Sequence, residues 1–190
     1  MRIIAGHLKG KKLFAVAGNA VRPTSDRLRE TLFNIIAPRI HNAVVLDLFS
    51  GTGALGIESL SRGAAQTVFI DHSPKSLAVI QRNIHNCGLD EQSTVMRRDI
   101  LKNLNCLQSL NYRFDLVFLD PPYHKAMIAK TLKHLSRSEH IRENALIIAE
   151  HDRREIVSEQ TGPITLTDQR IYGQTVVSFF NFSLTPSDNL

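Results

Sequence analysis

Residues 119 to 124 read Leu-Asp-Pro-Pro-Tyr-His and follow FDLVF (114 to 118), a run apolar enough for a strand buried on both faces. Neither Pro121 nor Pro122 has an N–H to give to a ladder, so the strand must stop at Asp120. The stop leaves a carboxylate, two residues of fixed φ and the ring of Tyr123 together at a strand end. An acceptor, a rigid mount and a stacking face are parts that a binding or catalytic site needs.

A second group of residues lies in LDLFSGTGALGIE (46 to 58), where Gly51, Gly53 and Gly56 have GxGxxG spacing between a strand and a helix, with Ser50 opening the loop. Asp71 stands twenty residues past Gly51, at the end of the next strand. Glycines for a tight turn and close approach, followed by an acid for ribose hydroxyls, form a nucleotide-cofactor fingerprint. Asp47 adds a discriminating feature. A carboxylate four residues before Gly51 would repel a pyrophosphate, whereas it suits a cofactor with an amine and a sulfonium and no phosphates, as in S-adenosylmethionine. The expected chemistry is methyl transfer.

Asp99 in RRDI and Asp120 are two further acids at strand ends. In open α/β sheets ligands bind outside the carboxyl ends of the strands, so Asp47, Asp71, Asp99 and Asp120 are expected to face one crevice. One such Asp alone would commonly cap a loop. Four in succession are hard to explain by packing.

The positioning elements follow from periodicity and punctuation. Strands are expected at 43–49, 67–71, 93–99, 114–120 and 145–151, alternating with helices. In the helix after Asp71, Ser73 is the N-cap, Pro74 takes the first helical position and Gly88 is the stop. Gly63 closes the helix after the glycine loop. The segments 164–173 and 175–182 are separated by only Gly173 and Gln174, which requires a hairpin because a parallel crossover needs a dozen residues or more. The expected fold is therefore α/β, a doubly wound, mostly parallel seven-stranded sheet of Rossmann-like type ending in an antiparallel hairpin.

Before the sheet, RIIAGHLKGKKLFAV reads as a small basic β-hairpin and RPTSDRLRETLFNII as a helix capped by Thr24 or Ser25. Its stripe is expected to be Leu28, Leu32, Ile35 and Ile36, with Arg22, Arg27 and Arg29 near the polar side. The net charge of +5 is concentrated here, since residues 1–39 hold eight Lys/Arg against two acids. Such a segment suits a polyanion. The organisation expected is a substrate arm over 1–39, a catalytic body over 40–183 and a frayed tail over 184–190.

Composition narrows the class further. With 43% hydrophobic and 22% charged residues and no apolar run near the ~18 residues of a membrane span, a cytoplasmic protein without membrane contact is expected, and no signal peptide is evident. Cys87 and Cys106 belong to no CxxC or Cys/His cluster, and the eight histidines have no HExxH or HxH spacing, so no metal is expected. His72 and His151 match no motif and read as partly exposed loop residues.

Taken together, RPTSDRLRETLFNII, DLFSGTGALGIESLSRGA, FLDPPY and YGQTVVSFF resemble the RsmD family of bacterial small-subunit ribosomal RNA guanine-N2 methyltransferases, from about Arg2 to Phe180. The resemblance implies roles at matching positions. Gly51 and Gly53 would admit the cofactor backbone, with Asp47 and Ser50 in the same site. Asp71 would hold the ribose, and Asp99 would accept from the adenine amine with Ile100 beside its ring. Asp120 would face the target amine and Tyr123 would stack on the base. Asp120 and the Pro121 carbonyl could then accept the two N–H groups of the amine, the prolines serving as rigid mounts. Arg2, Lys9, Lys11, Lys12, Arg22 and Arg27 become candidate phosphate contacts. The implied partner is ribosomal RNA, within a small-subunit particle or assembly intermediate, met by a monomer.

Rival readings remain open on the residues alone. DPPY is shared with adenine-N6 methyltransferases of DNA, and GTGALG with nicotinamide oxidoreductases. A non-catalytic RNA-binding protein on the same fold is a third.

Overall fold

A computed structural model describes residues 1–16, 26–122 and 127–184. The expected caps Thr24 and Ser25, the candidates Arg22 and Tyr123, and residues 185–190 of the tail lie outside the described residues. The backbone divides into two compact units, Met1–Arg98 and Asp99–Leu190.

In the first unit, helix α1 (Asp26–Ile35) and a 3-10 turn over Ala37–Arg39 precede strand β1 (Val44–Leu48), helix α2 (Ala54–Ser61), strand β2 (Gln66–Asp71), helix α3 (Pro74–Cys87) and strand β3 (Ser93–Arg97). The strands lie in the order β3-β2-β1 and pair in parallel, Asp47 beside Phe69 and Asp71 beside Arg97. Both faces of β1 and β2 are covered, and Val45, Leu46, Leu48, Val68, Phe69 and Ile70 are fully buried.

The caps of α3 are those expected. Ser73 accepts the amide of Ser76 at 3.3 Å, Pro74 begins the helix, and Gly88 ends it in the left-handed region at φ 68°. A stripe of Ser76, Ile80, Asn83, Ile84 and Cys87 is buried at helical spacing. The α1 stripe departs from expectation. Arg29, Leu32, Phe33 and Ile36 are buried, whereas Ile35 is exposed, so the buried face is rotated relative to the purely apolar one and carries a guanidinium.

The N-terminal arm closes through a single antiparallel bridge, Arg2 to Lys12, rather than through paired strands. The reason is visible in its donors. The amides of Ile4 and Ala5 turn to the Glu58 carboxylate at 2.7 and 3.0 Å, and those of His7 and Leu8 turn to the Ser61 carbonyl and hydroxyl at 2.9 and 3.1 Å. Backbone groups that could have extended a ladder are satisfied by α2 instead.

In the second unit, strand β4 (Phe114–Leu119) is followed by helix α4 (Met127–Leu135) and strand β5 (Ile141–Asp152), which pairs in parallel with β4. Three more strands, β6 (Gln160–Thr161), β7 (Ile164–Tyr172) and β8 (Thr175–Phe182), complete the order β4-β5-β8-β7-β6. β7 and β8 form the expected hairpin, with Tyr172 opposite Thr175 and Gly173 at φ 65° in the two-residue loop. Among the described residues the strands number eight rather than seven. The extra one, β6, is two residues long and folds back on Thr165 and Ile164, too short to leave an alternation in the sequence.

Among the described residues, no helix is long and apolar enough to cross a membrane.

Candidate cofactor and substrate site

β1 delivers Asp47 inside its last turn of strand, and the chain then reverses through Phe49, Ser50, Gly51, Thr52 and Gly53 into α2. Three of these residues have positive φ: Phe49 at 61°, Gly51 at 56° and Gly53 at 78°. Two glycines adopt this region freely, but an aromatic residue there is strained, and such strain persists only where surroundings over-determine it. The surroundings here are a set of hydrogen bonds. Ser50 donates its hydroxyl to the Asp47 carbonyl at 2.6 Å and accepts the Ile70 amide at 2.9 Å, tying the loop to β2. Gly53 donates its amide to the Ser50 carbonyl at 2.7 Å.

Two acids flank the loop. Asp71 accepts the Gly51 amide on one carboxylate oxygen at 2.9 Å and the Ser73 amide on the other at 2.8 Å, so one side chain fixes both the glycine loop and the start of α3. Each oxygen retains a lone pair for a further donor. Asp47 accepts the Gly56 amide at 3.0 Å, at the amino end of α2. Burial pushes its carboxyl up from 3.8 to about 7; the Gly56 amide opposes that shift and the charge of Asp71 adds to it.

The third glycine of the fingerprint serves packing. A Cβ on Gly56 would lie 2.3 Å from the Phe69 ring and 2.7 Å from the Thr67 methyl, so its absence lets α2 sit against β2. Gly51, by contrast, has among the described residues only the Phe49 carbonyl, 3.8 Å away, within reach of a Cβ. The described residues leave the space in front of it open to an approaching ligand. An open glycine turn bordered by two carboxylates, one on each neighbouring strand, fits the amine, sulfonium and ribose of S-adenosylmethionine in its donor and acceptor chemistry.

In the second unit, Asp99 is exposed and accepts the Leu101 amide at 3.1 Å, forming a local turn that leads into the buried Ile100. Asp120 is half-buried directly after β4, Pro121 is buried and Pro122 exposed. The prolines terminate β4 as the sequence requires.

A family model described as "Conserved hypothetical protein 95" matches residues 1–181. Ribosomal RNA small subunit methyltransferase D of Escherichia coli (strain K12) is 32% identical over 183 residues, covering 95% of this chain and 89% of that one. The chain belongs to this family, the RsmD family its motifs resemble. Another relative, YlbH of Bacillus subtilis (strain 168), is 36% identical over 180 residues, covering 95% of this chain and 98% of that one. The solved structure of yhhF from Escherichia coli matches with a TM-score of 0.85 at 30% identity, covering 97% of this chain and 99% of that one.

Within this RsmD-family chain the basic candidates divide. Lys9, Lys12 and Arg27 are exposed and Lys11 is half-buried. Arg2 is exposed but pairs with Asp26 at 3.3 Å. Arg29, expected near the polar side, is buried instead, donating to the Arg2 carbonyl at 2.6 Å and to Asp26 at 2.9 Å. Burial lowers its pKa, against the opposing pull of Asp26 and Glu58. It therefore braces the arm from inside.

His151 also differs from its expected loop setting. It lies buried in β5, with one ring nitrogen 3.0 Å from the Asp152 carbonyl and the other 2.7 Å from the Ser178 hydroxyl, which Gln169 also reaches at 2.9 Å. His72 is exposed, 3.6 Å from the Asp71 carboxylate. Sequence reasoning passed over Phe49, Glu58 and Asn83. For Glu58 and Asn83 the signal was a polar residue at a position where helical periodicity places the core face.

Proposed function

We propose that the chain is an S-adenosylmethionine-dependent RNA methyltransferase that modifies the exocyclic N2 amine of a guanine in small-subunit ribosomal RNA. The observation that carries this reading is Asp71 holding the Gly51 amide: the ribose acid and the glycine turn are one preorganised piece at the carboxyl ends of β1 and β2. S-adenosylmethionine supplies an electrophilic methyl group on a sulfonium. Asp71 binds the ribose hydroxyls, Gly51 and Gly53 let the backbone approach, and Asp47 and Ser50 complete that side. Asp99 accepts from the adenine amine beside Ile100.

The guanine amine is a weak nucleophile because its lone pair is delocalised into the ring. Asp120 and the Pro121 carbonyl accept its two N–H groups, aim the lone pair and stabilise the positive charge that grows on nitrogen. The fixed φ of Pro121 and Pro122 keeps those acceptors in place with little entropy left to lose. The proton leaves after methyl transfer, to Asp120 or to water, so Asp120 is an orienting acceptor first and a base second. Tyr123 is the ring offered for stacking by a base that has left its helix.

Residues 1–39 serve as the substrate arm, with Arg2, Lys9, Lys11, Lys12, Arg22 and Arg27 facing phosphates, and residues 40–183 carry the chemistry as a monomer. RNA within a small-subunit particle or assembly intermediate is the substrate form. The test is labelled methyl transfer to undermethylated small subunits and to free RNA, with the modified nucleoside identified by mass spectrometry. N2-methylguanosine supports the proposal; N6-methyladenosine, or no transfer to either substrate, refutes it.

A further inference from the structure

α3 carries a side chain that no role above requires. Asn83 is fully buried on the core face of the helix, in line with Ile80 and Ile84. An uncompensated amide there would be costly, and it is fully compensated. Its carbonyl oxygen accepts the Phe14 amide at 2.8 Å, while its nitrogen donates to the Phe14 carbonyl at 3.1 Å and to the Thr52 carbonyl at 2.9 Å. One acceptor and both donors are used, and this pattern fixes which end of the amide is which. Asn83 thus pairs with both backbone groups of Phe14, as a neighbouring strand would. The same helix holds that residue again from outside, with the Arg82 guanidinium 3.6 Å above the Phe14 ring.

The two segments joined in this way have different tasks. Phe14 stands two residues after Lys12, near the end of the arm's basic hairpin. Thr52 lies between Gly51 and Gly53, in a turn of low intrinsic stiffness, so its position depends on the groups that tie it. Asp71 holds the amide before Thr52, Ser50 holds the amide after it, and Asn83 holds its carbonyl. A shift of the arm at Phe14 therefore moves the turn, and ordering of the turn steadies the arm.

We infer that Asn83 is a positioning residue that couples the N-terminal arm to the glycine turn, so that RNA on the arm and cofactor in the turn bind with positive cooperativity. The inference rests on the reading of the arm as an RNA contact and of the turn as the cofactor loop. Coupling of this kind is reciprocal and commonly amounts to about 5- to 150-fold in affinity. It acts by ordering: the first ligand removes motion that the second would otherwise have to remove.

The decisive measurement is the affinity of undermethylated small subunits with and without saturating S-adenosylhomocysteine. In the unaltered protein the nucleoside should tighten RNA binding about tenfold. In Asn83→Asp, which keeps the acceptor but loses both donors, and in Asn83→Ala, the gain should fall below about twofold. An equal gain in all three proteins, or none in the unaltered one, overturns the coupling. Hydrogen exchange on the unaltered protein needs no variant to fold: S-adenosylhomocysteine alone should slow exchange of the Phe14 amide, and an unchanged rate likewise overturns it. If instead Lys9, Lys11 and Lys12→Ala leave RNA affinity unchanged while the Phe14 amide is protected, the link between arm and turn stands and the arm's role in RNA binding falls.

Discussion

Asp47 and Gly56 are joined by a 3.0 Å hydrogen bond from the glycine amide to a carboxyl that has left solvent almost completely. The bond and the positive end of α2 favour the charged carboxylate, yet burial outweighs both and raises the group to about 7. This acid therefore titrates in the range where the enzyme would work.

A pH dependence of stability follows. The folded form holds the Asp47 proton more tightly than the unfolded chain, whose carboxyl titrates near 3.8. Stability from this group is fully present below about pH 4 and is lost as pH rises to about 7, by a few kcal/mol at most. Asp47→Asn keeps an acceptor for the Gly56 amide without a charge. Thermal melts from pH 5 to 8 should show a flatter profile in this variant and a higher melting temperature at pH 8, together with weaker cofactor binding by calorimetry.

Asp71→Ala removes the acceptor of two amides, those of Gly51 and Ser73. Charge-assisted bonds of this type are worth about 1.5–3 kcal/mol each, so cofactor affinity should fall about 100-fold or more. Asp71→Asn, with one good acceptor left, should fall between. Titration calorimetry with S-adenosylhomocysteine checks the order, and equal affinities across the three proteins would remove Asp71 from the site.

Asp120→Ala should lower the turnover rate by about 100- to 1000-fold while changing the cofactor dissociation constant by less than about twofold. Single-turnover transfer to undermethylated subunits measures the first quantity and calorimetry the second. Full activity in this variant would eliminate the acceptor role proposed for the acid.

The arm should report its charge through salt. Each phosphate contact contributes about 0.7–0.9 to the slope of log affinity against log salt, so Lys9, Lys11 and Lys12→Ala should flatten the slope by about two to three. Filter binding over a salt series decides it.

Seating of the arm is a separate matter from its charge. A Cβ on Gly6, where φ is 82°, would fall 1.8 Å from the Ser61 carbonyl oxygen. Gly6→Ala should therefore displace the arm, lower the melting temperature and weaken RNA binding with every charge still present. An unchanged melting temperature would show that the arm docks elsewhere.

Much of the backbone around the candidate site could be read from the chain because its signals are local. Ser73, Pro74 and Gly88 mark the ends of α3 through capping and φ preferences that act within a turn of helix. The glycine spacing after β1 and the paired prolines after β4 announce where backbone must turn or stop. These are properties of a few adjacent residues, and the structure reproduces them.

What the sequence could not determine is which distant groups would share an interior. Arg29 fits a polar helix face by composition, but it is buried, with the Arg2 carbonyl and Asp26 both held by one guanidinium nitrogen. His151 has no motif, and its setting is fixed by Ser178, which reaches it only once β5 and β8 pair. Asn83 is a polar break in an apolar stripe until Phe14 and Thr52 arrive from 69 and 31 residues away. The sequence by itself determined turns, caps, strand ends and the acids placed on them, because these depend on backbone sterics and local hydrogen bonds. Only tertiary structure decided which polar side chains the core would admit, because the cost of burying one depends on the partners that packing brings to it.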